Sequence, residues 1–156
     1  MVNVRQVSDY IIFRLKSEGG NSLDTLKHQK LLYYVQAWHL VFNGTKMFES
    51  EFQAWIHGPV NREIYNLYRD KKYLYSEMHV NDILNMQNID TLTSEEKIHI
   101  DNVLDAYAKF SSTQLEHMTH NEKPWIEARE GYGPYQRCEV DIDTEVMKSY
   151  YSARLS

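Results

Sequence analysis

One segment, LKHQKLLYYVQAWHLVFNG at residues 26–44, limits what this chain can fold into more than any other. Laid on a helix of 3.6 residues per turn, its apolar side chains cover most of the circumference, from Leu31 and Leu32 through Tyr34 and Val35 to Trp38, Leu40 and Phe42. A helix with so little polar surface belongs inside a fold, so the pattern predicts a central helix clothed by others. Ser22 is its expected N-cap, and Asn43-Gly44 its expected stop. The one polar stripe, Gln29, Gln36 and Asn43 at sevenfold spacing with His39 beside it, is expected to be the helix's solvent edge.

The flanking sequence supplies that clothing. Val4, Val7, Ile11 and Leu15 repeat at three and four, and Gly19-Gly20 ends the helix they define. GTKMFESEFQAW is too short and broken for a helix. Phe48 and Phe52 flank its polar Glu49-Ser50-Glu51 turn, which predicts a small β-hairpin near residues 46–55. Gly58 bends the chain and Pro59 has the φ of a helix's first turn, so a third helix is expected to carry Val60, Ile64, Leu67 and Tyr68 inward. Lys71 to Leu92 reads as loop, with a helical turn near Asp82 to Met86. Thr93 and Glu96 form a capping box for a helix to Phe110 whose inner face is Ile100, Val103, Leu104 and Tyr107. Ser111 and Gln114 repeat the device ahead of Leu115 and Met118. Pro124 starts another turn with Trp125 packed beneath it, and Asp143 caps a last helix, stapled by Ile142 and Met147, through Tyr150 and Tyr151. The expected fold is mainly α: a compact multi-helix single domain over residues 1–156, around the central hydrophobic helix.

A chain of 156 residues with 13% aromatic content has the apolar mass for one core. Its lone cysteine, Cys138, excludes an internal disulfide and suits a reducing interior. No apolar run approaches the ~20 residues of a membrane span, and Met1 to Gly20 lacks the apolar run of a signal peptide, so a cytoplasmic location is expected. Charge is polarised. Residues 1–75 hold ten Lys and Arg against seven Asp and Glu, net +3, and residues 76–156 hold seven against fifteen, net −8. An acidic half suits a basic protein surface better than a polyanion.

Chemistry is sparse. His57 sits beside a turn, where a histidine is more often structural than catalytic. His117 and His120, with Glu116 and Glu122 nearby, lack the second ligand cluster that a metal needs. Cys138 lies near Glu139 and Asp141, which oppose a thiolate. No phosphate-binding glycine loop or nucleophile elbow occurs. The expectation is no catalytic residue, no metal and no cofactor: not an enzyme. Lys27, Lys30, Arg62, Arg69, Lys71 and Lys72 form no recognition-helix stripe, so specific nucleic-acid binding is not expected.

Three stretches carry a resemblance: LKHQKLLYYVQAWHLVFNG, MFESEFQAWIHGPVNREIY and MTHNEKPW. They resemble the Panacea domain, also described as a GepA-like phage-associated family, most closely from Leu26 to Tyr68 and again at Thr119 to Trp125. The resemblance implies a mostly helical antitoxin that neutralises a toxin by direct stoichiometric binding, with no catalytic residues to carry over. It implies framework duties for Leu31, Tyr34, Trp38, Trp55, Gly58, Pro59 and Trp125, and burial is expected for Trp38 and Trp55. Recognition is then expected on the acidic helix, at Glu95, Glu96, Asp101 and Asp105. The alternatives are another phage or mobile-element interaction protein, either a proteolytic adaptor or an inhibitor of a host defence enzyme, and a hydrolase using His57, His117 or His120.

Overall fold

The computed structural model describes residues 1–19 and 21–155, with Gly20 of the expected helix stop outside the described residues. Thirteen residues of the long apolar helix, α2 (Thr25–Asn43), are buried, and the rest of the chain is arranged around it. α1 (Val4–Lys16), α5 (Ser94–Tyr107), α6 (Ser112–His120) and α8 (Thr144–Ser152) all pack on α2. Short pieces fill the gaps: α3 (Arg62–Tyr68), a 3₁₀ turn at Val80–Asp82, α4 (Met86–Asp90) and α7 (Lys123–Ala128). The fold is mainly α, and no helix among the described residues is long and apolar enough to cross a membrane.

The caps follow local chemistry. Thr93 and Glu96 close one capping box, Ser111 and Gln114 another, and Asp143 accepts from the first turn of α8. For α2 the cap is Asp24, whose carboxylate accepts from Lys27 N at 2.8 Å, and not Ser22. Asp24 stands immediately before the first helical residue, whereas Ser22 lies two residues too early and turns to Glu77. Gly44, at φ 77°, ends the helix in the left-handed conformation.

The hairpin lies later than the sequence suggests. β1 (Phe52–Trp55) pairs antiparallel with β2 (Gly58–Asn61) around the turn Ile56-His57, and Pro59 sits opposite Ala54. Pro59 therefore does not begin a helix. The third helix starts at Arg62, capped by Asn61, which accepts from Ile64 N at 3.1 Å. Ala54 N instead donates to Val140 O at 2.9 Å, so the missing donor of Pro59 costs the ladder little.

The glutamine stripe of α2 is buried, not solvent-facing. Gln36 accepts from Met47 N at 2.8 Å and donates to Phe48 O at 2.7 Å. One heptad earlier, Gln29 accepts from Asn61 N at 2.8 Å and donates to Asn61 O at 3.2 Å. Each amide side chain satisfies a backbone donor and acceptor that have no neighbouring strand, and that need brings a polar residue into the core.

Candidate functional site

The sequence WIHGPVN turns over a buried lysine. Lys30 lies on the hairpin side of α2, fully enclosed, and its Nζ donates to Pro59 O at 2.9 Å. Gly58 has φ 110°, and a Cβ there would fall 2.5 Å from Lys30 Cε and 2.9 Å from Thr119 Oγ1. The glycine is thus explained by the lysine passing beneath it. Burial lowers the Lys30 pKa to about 7, against the pull of Glu116 and Asp24.

Glu116 on α6 also meets the hairpin turn, with both oxygens 3.2 Å from His57 Nδ1. His120 stacks on Trp125 at 4.0 Å between ring centroids, and Trp125 Nε1 donates to Trp55 O at 2.8 Å. Lysine, carboxylate and two imidazoles thus gather under one turn. Their geometry is that of a brace: the Lys30 amine is sealed from solvent, His57 is tied to Glu116, and His120 is pinned by a ring. No group of three or more His, Cys, Asp or Glu residues able to hold a metal occurs among the described residues. His117 lies outside the cluster, exposed beside Asn121.

A second buried base, His28, has Nε2 3.0 Å from Ser8 Oγ of α1, and desolvation lowers its pKa to about 4. In both cases the unfolded chain holds a proton that the folded chain lacks, so stability rises with pH across each window. Resistance to urea is expected to increase from pH 4 to 6.5 through His28 and again from pH 7 toward 10 through Lys30, by up to about 1.4 kcal/mol per pH unit. Denaturation midpoints across that range check this: His28→Phe should flatten the first rise and Lys30→Met the second.

Beside the braced hairpin opens a groove of about 670 Å³ between α2, the hairpin, α3 and the Arg137–Glu139 segment. Trp55 and Tyr65 stand on it edge to face at 4.7 Å, and the Arg62 guanidinium lies 5.4 Å from the centre of the Trp55 ring. Beyond them Tyr73 is 86% exposed.

The expected framework residues divide. Leu31, Tyr34, Gly58 and Pro59 are buried, but Trp38, Trp55 and Trp125 are only half-buried. Each indole keeps a polar bond at the boundary: Trp38 Nε1 donates to Tyr107 Oη at 2.8 Å, and Trp55 Nε1 to Gln53 Oε1 at 2.8 Å. The acidic set divides too. Asp101 accepts from Tyr10 Oη at 2.9 Å and pairs with Arg14 Nε at 3.0 Å, while Glu96 closes its capping box. Glu95 and Asp105 remain exposed.

Two residues carry structural roles that their sequence context does not announce. Glu122, buried, accepts from Tyr34 Oη at 2.8 Å and Tyr151 Oη at 2.7 Å, and burial raises its pKa. Arg129 ties three carbonyls together, those of Ala54, Gly133 and Gln136, and so anchors the C-terminal loop to the hairpin.

Comparison with known proteins places this geometry. The family described as "Antitoxin SocA-like, Panacea domain" matches residues 29–126, a span that includes Lys30, the hairpin, Glu116 and Glu122. The chain is similar to Antitoxin SocA of Caulobacter vibrioides (strain NA1000 / CB15N), with 28% identity over 135 residues covering 83% of this chain and 72% of that protein. No solved structure matches it.

Proposed function

Because the chain belongs to the SocA-like antitoxin family with a Panacea domain, we propose that it neutralises a cognate toxin in the cytoplasm by direct, stoichiometric binding and performs no catalysis itself. The family match carries this reading. The geometry supports it in two ways. The titratable cluster beneath the hairpin is spent on bracing, with Lys30 sealed and His57 tied to Glu116. Above the brace, the hairpin's Trp55 and the Arg62 and Tyr65 of α3 share one partly exposed surface, built of the residue types that most often dominate protein-protein contacts. A surface held in place before binding loses less conformational entropy when it docks.

The acidic helix has a smaller part. With Glu96 and Asp101 already bonded within the chain, α5 offers Glu95 and Asp105, two exposed charges that act mainly on encounter rate. The test is co-expression with whichever product of the reading frames flanking this chain's gene arrests growth when expressed alone. Growth should be rescued and the two proteins should co-purify as one species. Rescue with no complex at any stage would overturn the reading.

A further inference from the structure

We propose that the groove between the hairpin and α3 is the toxin-docking surface, and that it receives an acidic segment of the toxin carrying an aromatic or aliphatic anchor; this rests on the antitoxin reading. Charge selects the occupant. Four cations line the groove, Arg62, Arg69, Lys72 and Arg137, against one carboxylate, Glu139. Arg62 and Arg137 share Glu139 between them, and Lys72 is bound to Asp82 at 2.9 Å. That leaves Arg69 exposed with no side-chain partner among the described residues, and Arg137 79% exposed with half an anion. The edge of the groove is therefore under-neutralised and repels a basic segment.

Shape supplies the anchor site. The Trp55 and Tyr65 rings form one wall, at 4.7 Å, with Val60 and Ile64 behind them. An apolar side chain laid against this aromatic wall is desolvated where it meets the rings, while carboxylates on either side of it reach Arg69 and Arg137. Arginine pairs with carboxylates through two parallel N–H donors, which fixes orientation as well as charge. Half-burial of Trp55 fits this role: Gln53 holds the Nε1 edge of the indole and Arg62 lies over its ring, while part of the side chain stays accessible to the partner.

The test compares three variants with the parent in binding the purified toxin that the co-expression identifies, each first shown to melt as the parent does. Arg69→Glu with Arg137→Glu, and separately Trp55→Ala, should each weaken binding roughly 30-fold or more, the scale of a hot-spot loss. Glu95→Lys with Asp105→Lys should change it by less than about threefold. If Trp55→Ala fails to fold, the double arginine variant alone decides. A fluorescein-labelled dodecapeptide of alternating Glu and Tyr should bind the parent and be displaced by the toxin. Groove variants that hold the toxin like the parent would overturn the surface. Displacement by single-stranded DNA but not by the peptide would overturn the occupant, as would a dimer of this chain abolished by the same substitutions. A parent that binds no toxin would overturn the antitoxin reading itself.

Discussion

Glu122→Ala is expected to cost roughly 2–6 kcal/mol, because it strips the acceptor from two buried tyrosine hydroxyls at about 1–3 kcal/mol each. Tyr34 Oη and Tyr151 Oη both donate to Glu122, and Tyr151 lies 3.1 Å from Tyr33 Oη in the same network. Since Tyr34 belongs to α2 and Tyr151 to α8, the loss falls on the seam that holds the last helix to the axis. Glu122→Gln keeps an acceptor oxygen and removes a carboxylate whose pKa burial already raises. It should stay within about 1 kcal/mol of the parent. Urea denaturation at pH 7 separates the two. Equal losses for Ala and Gln would mean that the charge, and not the acceptor, holds the seam.

Gly58→Ala is the second large effect. A left-handed φ of 110° strains any side chain by about 1–3 kcal/mol, and the added Cβ meets Lys30 Cε at 2.5 Å, an overpacking worth another 1–3 kcal/mol. The expected loss is about 2–6 kcal/mol in urea unfolding. Combining it with Lys30→Ala removes one clash but leaves the φ strain and the contact with Thr119 Oγ1 at 2.9 Å. The double variant should therefore lose less than the sum of the singles, by about 1–2 kcal/mol. Strict additivity would show that the glycine and the lysine do not constrain each other.

Much of this fold was legible because its signals are local. The boxes at Thr93 and Ser111 and the cap at Asp143 are read within four residues of chain, and each forms as written. The apolar circumference of α2 forced its central place. What failed was non-local. The hairpin lies later than its residues suggest because Ile56-His57 is not a marked turn pair, and β2 takes its outer bonds from Gln29 and Lys30 side chains, not from a third strand. A polar stripe on a helix usually faces water, and only the peptides of Met47, Phe48 and Asn61 explain why Gln29 and Gln36 are buried. Glu122 meets Tyr34 across 88 residues of sequence, a distance over which periodicity says nothing.

The candidate surface was less legible still. Tryptophan spacing suggested a core role, and Trp38 does lean on that core, but Trp55 shares its exposed side with Arg62 and Tyr65. The acidic helix drew attention through net charge alone. Formal charge counts Asp101 and Glu96 as free, although Arg14 and the backbone of Thr93 already hold them.

Titration of toxin activity against this chain tests direct binding without turnover. With the toxin fixed well above the dissociation constant, inhibition should grow linearly and break at a fixed molar ratio near one chain per toxin. Complete inhibition far below that ratio, continuing with time, would mean that each chain acts on many toxins, and stoichiometric binding would be wrong.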